Sequence, residues 1–155
     1  MYFSDDMKEL VLLFQKHEVE FAVCGGFAVA HYGFVRATMD FDLLILPTVQ
    51  NAKRVMAALI EFGFGGAGLK EETFMKSGTA ITLGAQPNQI DLLTSMSTQA
   101  TVDVLAHARQ VHIQGMTMKV VSLDDLLFAK KETKRAKDQI DYDELCRLRD
   151  TNQNN

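Results

Sequence analysis

The feature that most restricts how this chain can fold is the run from Arg36 to Leu46, where an alternating pattern carries two aspartates inside its most apolar part, MDFDLLI. Ala37, Met39, Phe41, Leu43 and Ile45 fall on one face of an extended segment. Arg36, Thr38, Asp40 and Asp42 fall on the other, before Leu44 and Leu46 restore apolarity. Residues two apart on a strand point the same way, and two carboxylates that approach to about 5 Å repel by roughly 3 kcal/mol at an effective dielectric of about 20. The strand therefore needs a core under one face and a source of positive charge over the other. An isolated D-x-D is usually a pair of solvated acids at a strand end, because Asp is depleted inside strands.

Three further features separate this pair from that ordinary case. Arg36 and Thr38 share its face, offering a planar cation and a hydroxyl suited to phosphate. Gly25 and Gly26 follow a short apolar run, Phe21 to Val23, and open the helical composition of Phe27 to Tyr32, where backbone N–H groups can approach a phosphate closely. A third acid, Asp91, lies in the apolar stretch QIDLLT, which has no structural need for a charge. Hard divalent ions such as Mg²⁺ bind through one or two carboxylates plus substrate phosphates, so these residues together suit phosphoryl transfer.

The remaining segments read as alternating helices and strands. Phe3, Met7, Leu10, Val11 and Phe14 give helical spacing after a Ser4 cap, predicting a helix over 4–17. A second helix starts near Pro47 and Thr48 and stops at Gly63. Strands are expected near 72–76, 79–84 and 89–94, a helix near 98–107, and a hairpin in RQVHIQGMTMKVV turning at Gly115. Ser122 with Asp125 marks the start of the helix SLDDLLFAKKET, and a last helix runs to about Arg149, leaving 151–155 as a frayed tail. The expectation is a single domain over 1–150 of mixed α/β (α+β) class. Its short, twisted, antiparallel or mixed sheet carries all three aspartates, helices flank it, and the C-terminal helices pack on the domain.

Composition excludes more than it selects. The 155 residues carry a formal charge of −4 with a pI near 5.5, which argues against binding nucleic acid through a broad basic surface. Cys24 and Cys146 form no C-x-x-C pair, so neither a disulfide framework nor a zinc site is expected. The start MYFSDDMKEL has acids where a signal peptide has bases, and no apolar run reaches the length of a membrane span. A cytoplasmic protein without membrane contact is the expectation.

Other motifs carry less. Gly63, Gly65 and Gly68 satisfy G-x-G-x-x-G, yet they follow a helix and precede strand-like sequence, the reverse of the dinucleotide-binding order. His17, His31, His107 and His112 show no ligand spacing, and Ser95 and Ser97 lie in no nucleophile elbow. Lys130 completes an i, i+3, i+4, i+7 stripe with Leu123, Leu126 and Leu127, which places an ammonium toward the core side of its helix.

The order Gly-Gly, helix, R-x-T-x-D-h-D strand and later h-D-h strand resembles the DNA polymerase β-type nucleotidyltransferase superfamily. Within it, GGFAVAHYGFVRATMDFDLLI is similar to small bacterial proteins allied to abortive-infection (AbiEii-like) nucleotidyltransferase toxins. Ser122 to Lys130 and Arg135 to Asp141 resemble the closing helices of that group, so the likeness spans about residues 21–145. It departs at Gly26, where many members carry a Ser that touches the nucleotide phosphate.

The resemblance implies the nucleotidyltransferase fold and transfer of NMP from an NTP to a hydroxyl of RNA, protein or a small molecule. Asp40, Asp42 and Asp91 would be catalytic and would hold two Mg²⁺ ions, with Mn²⁺ as a substitute. Gly25, Gly26, Arg36, Thr38 and Lys130 would contact the nucleotide phosphates, and a cognate toxin–antitoxin partner would be expected. The alternative is a non-catalytic nucleotide-binding or partner-binding module on the same fold.

Overall fold

The structure, a computed structural model, describes residues 2–153. Helix α1 (Asp5–Lys16) begins where expected, with the Ser4 hydroxyl accepting the Met7 N–H at 3.3 Å and Asp5 and Asp6 at the positive end of the helix. The strand β1 (Phe21–Cys24) passes straight into α2 (Gly25–His31). After β2 (Asp40–Ile45) come α3 (Val49–Leu59), β3 (Ala80–Leu83), β4 (Gln89–Leu93) and α4 (Thr101–His107). The chain closes with the hairpin β5 (Arg109–Ile113) and β6 (Met116–Val120), then α5 (Leu123–Glu132) and α6 (Ala136–Gln153).

The six strands form one mixed sheet in the order β3-β4-β2-β1-β6-β5. β2 runs antiparallel to β1 and parallel to β4. This register brings together residues far apart in the chain: Asp42 stands opposite Cys24 on one side and Asp91 on the other. Phe41, one position out of phase with the two aspartates, is fully buried beneath the sheet. There its ring meets Phe3 and Phe27 with centroids 5.2 and 4.9 Å away. Burial of one such side chain contributes about 1.5–3 kcal/mol. A one-residue slip of β2 would expose this aromatic cluster and bury both acids, so the register is strongly specified.

Asn51 ties the rear of the sheet to α3. Buried, it donates to Glu20 O and Leu46 O at 3.0 and 2.9 Å and accepts the Glu20 N–H at 2.7 Å, pairing backbone groups beyond the ends of β1 and β2. At the C-terminal end, α5 and α6 pack on one another, and α5 also meets α2.

The fold departs from the sequence reading in three places. The regular strand starts at Asp40, not Arg36, and Ala37 and Met39 are exposed instead of sharing the buried face of Phe41. The side chain of Arg36 reaches α6 instead, which carries residues 36–39 off the sheet as a loop. The segment expected as a strand at 72–76 includes a 3₁₀ turn, Glu71–Phe74, in which Phe74 alone is buried, so one apolar anchor replaces a strand face. Helix α6 extends to Gln153, past the end expected near Arg149; residues 154 and 155 of the expected tail lie outside the described residues. Among the described residues no helix is long and apolar enough to cross a membrane.

Candidate catalytic site

The three aspartates converge. Asp40 and Asp42 come from alternate positions of β2 and Asp91 from the adjoining position of β4, and one carboxylate oxygen of each lies within 4.8 Å of the others. They line a pocket of about 420 Å³ together with residues of α5, α6 and the segment joining them.

Each carboxylate is held differently. Thr38 Oγ1 donates to Asp40 Oδ1 at 2.9 Å. Asp91 accepts from Thr82 Oγ1 at 2.7 Å and from Gln89 Nε2 at 3.1 Å. Asp42, half-buried like the other two, accepts no hydrogen bond and makes no ion pair among the described residues. Burial pushes its carboxyl up to about 6, the charges of Asp40 and Asp91 push the same way, and Lys130 and Lys137 oppose them. Three hard oxygen donors with an unpartnered, half-buried carboxylate at their centre fit a divalent cation of the Mg²⁺ class.

The glycine pair is explained by these acids. Gly25 sits at φ +60°, in the left-handed region, and a Cβ there would fall 1.9 Å from Asp42 Oδ2. At Gly26 a Cβ would lie 2.5 Å from Thr38 Oγ1. The space a side chain would need at either position is already filled by a residue of the site, and the backbone of the turn lines the pocket directly. The neighbouring Cys24 thiol is driven well above its ordinary value by burial first and by Asp42 second, so it stays protonated and is not a nucleophile.

Arg36 and Lys130 lie on the pocket wall, but their charge is already engaged. Arg36 forms a two-pronged pair with Asp141, Nε to Oδ1 at 2.6 Å and Nη2 to Oδ2 at 2.7 Å. Lys130 Nζ reaches Asp138 Oδ1 at 2.7 Å and Asp141 Oδ2 at 3.0 Å. Asp138 also accepts from Thr133 Oγ1 at 2.8 Å and Arg135 Nε at 2.7 Å. Burial alone would raise both α6 carboxyls, yet hydrogen bonds from Lys130, Arg36 and Thr133 outweigh it and hold them below the usual carboxylate range.

The sequence reading did not single out Asp138 and Asp141 as site residues. Their signal was present: two acids at i, i+3 on one helix, in a chain whose Lys130 already pointed inward. Two histidines also have carboxylate partners invisible in sequence, His17 with Glu61 at 2.6 Å and His107 with the buried Asp125 at 2.9 Å. Both pairs are remote from the three aspartates in the chain and absent from their pocket wall.

No family model and no curated protein sequence matches the chain. Solved structures do. ANT(2")-Ia, determined in complex with adenylyl-2"-tobramycin, superposes with a TM-score of 0.55 at 12% identity, covering 90% of this chain and 85% of that one. An antigenic nucleotidyltransferase-like protein from Paracoccidioides brasiliensis gives a TM-score of 0.56 at 18% identity, covering 94% of this chain and 77% of its own. This chain therefore shares the fold of nucleotidyltransferase structures: a mixed sheet flanked by helices.

Proposed function

We propose that the protein is a nucleotidyltransferase that moves NMP from an NTP to a hydroxyl acceptor and releases pyrophosphate. The observation that carries this reading is the unpartnered Asp42 carboxylate, enclosed between Asp40 and Asp91 beside a glycine turn. Bound divalent ions, Mg²⁺ or Mn²⁺ in its place, would neutralise charge on the transferring phosphoryl group, and Asp40, Asp42 and Asp91 are the residues to hold them. In the chemical step the acceptor oxygen bonds to the α-phosphorus as the bond to the β-phosphate bridging oxygen breaks, and Asp91 takes the hydroxyl proton. Thr38 fixes Asp40, and Thr82 with Gln89 fixes Asp91, so the carboxylates are oriented before substrate arrives. The Gly25–Gly26 backbone faces the phosphates. The motif order of the chain further supports kinship with the abortive-infection group and a cognate partner of that kind.

One observation favours a second reading, a non-catalytic nucleotide-binding or partner-binding module: the cations expected on the phosphates, Arg36 and Lys130, are both tied to α6. The two readings separate in a transfer assay with α-labelled NTPs and three acceptor pools: RNA, protein and small-molecule alcohols. The proposal expects label in one pool with wild-type protein and none with folded Asp42→Asn. Undiminished transfer by the folded variant contradicts it, and saturable NTP binding without transfer to any pool supports the module.

A further inference from the structure

The cations on the pocket wall differ sharply in what they are doing. Arg36, Lys130 and Arg135 each hold an α6 carboxylate at hydrogen-bond distance, and in Arg36 and Lys130 these pairs are largely shielded from water. Lys137, in the first turn of α6, lines the same pocket and makes no hydrogen bond or ion pair among the described residues. Its ammonium acts on the pocket nonetheless, being one of two cations that oppose the rise of the Asp42 carboxyl.

Moving Arg36 onto a substrate would take from the fully buried Asp141 its two-pronged partner, and moving Lys130 would take a cation from both Asp141 and the nearly buried Asp138. Removing one partner from a buried ion-pair cluster is unfavourable, because part of a buried charge loses its compensation. An exposed lysine with no partner gives up only hydration and side-chain freedom when it meets an anion. The phosphate contacts expected of Arg36 and Lys130 therefore fall to Lys137, which lies in the Arg135–Asp141 motif but was given no phosphate role by the sequence reading.

We infer that Lys137 is the side chain of this site that binds the nucleotide phosphates, while Arg36 and Lys130 hold α6 in place. The inference rests on the nucleotide-binding reading above and assigns its phosphate contact. Lys137 and the three aspartates line the same pocket, so a nucleotide triphosphate bound there would have both cations held by the carboxylates and the Lys137 ammonium within the same cavity. A point charge on a flexible stem accepts several phosphate geometries, which suits a ligand whose charge shifts during transfer.

The test is binding of Mg²⁺-ATP and Mg²⁺-AMP, by calorimetry, to wild-type protein and to Lys137→Arg, Lys137→Gln and Lys137→Glu, with Lys131→Gln as a control on the exposed face of α5. Because Lys137 is exposed and unpaired, all four variants should melt with wild-type protein. The expected order for ATP is Arg near wild type, Gln about tenfold weaker and Glu weaker again, with Lys131→Gln unchanged. The Gln effect should shrink as salt is raised, and it should be smaller for AMP, which lacks the outer phosphates. A flat series in a wild-type protein that binds ATP overturns the inference and leaves the nucleotide site standing. If wild-type protein binds no nucleotide at all, the site reading fails and the inference falls with it.

Discussion

The molecule contains two groups of buried or half-buried acids, and they are built on opposite principles. Asp138 and Asp141 on α6 are the more deeply buried, yet Arg36, Lys130, Arg135 and Thr133 supply them with donors on every side. Asp40, Asp42 and Asp91 are less buried but face one another with hydroxyl and amide donors only, and Asp42 with none. The helix pair is complete as it stands and reads as structure. The strand triad makes no ion pair among the described residues, which is what the proposed binding site would require. Burial alone would have ranked them the other way round.

The largest effect that could break this contrast is at Asp141. Replacing it with Ala leaves Arg36 and Lys130 without their shared partner, and urea unfolding should show a loss of about 3–5 kcal/mol. A loss below about 1 kcal/mol would mean that the α6 cluster is not the structural half of the comparison.

Next comes Gly25→Ala, whose methyl group would have to occupy the space of the Asp42 carboxylate at a left-handed backbone position. A destabilisation of about 1–3 kcal/mol is expected from the backbone conformation alone, together with weaker metal binding measured by calorimetry. An unaffected variant would show that the turn does not fix Asp42.

The pH dependence should have opposite signs in the two groups. The Asp42 carboxyl is raised to about 6 from an unfolded value near 3.9. Its favourable contribution is therefore complete below about pH 4 and lost as pH rises through about 6. Asp138 and Asp141 are lowered, so their contribution is present above the unfolded value and disappears as pH falls through their folded values. In EDTA, stability should thus fall between about pH 4 and 6 and also collapse in stronger acid. Asp42→Asn should abolish the first slope, keep the second and gain about 1–3 kcal/mol at pH 7. A variant with the wild-type slope would remove the electrostatic basis of the contrast.

The smallest effect is at Arg135. It touches Asp138 but its side chain is 78% exposed, so Arg135→Ala should cost only about 0–1 kcal/mol by thermal melting. A much larger loss would show that solvent does not screen that side of the cluster.

Much of this arrangement was legible before folding, for identifiable reasons. The alternation through Phe41, Leu43 and Ile45 placed Asp40 and Asp42 on the opposite face, and Asp91 stood out in its own apolar strand. The Ser4 and Ser122 caps and the turn at Gly115 also appear where local chemistry puts them. What local pattern could not convey was partnership across the chain. Arg36 shares the period of the strand but is claimed by Asp141, 105 residues away, so the strand begins four residues late. Lys130 pointed inward as its stripe required, but the i, i+3 spacing of Asp138 and Asp141 on a polar helix did not say which cation they would meet. Lys137 lies in the Arg135–Asp141 stretch that carries the resemblance but was given no role there, and only the occupied state of its neighbours distinguishes it.

The central claim is that the strand triad is a metal–nucleotide site. Its most direct test is calorimetric titration of Mg²⁺, alone and with ATP, into wild-type protein and Asp40→Asn/Asp42→Asn. The account predicts metal-dependent nucleotide binding by wild-type protein, with loss of that binding in a variant that remains folded. Equal binding by both proteins, or none by folded wild-type protein with any of the four NTPs, would contradict it.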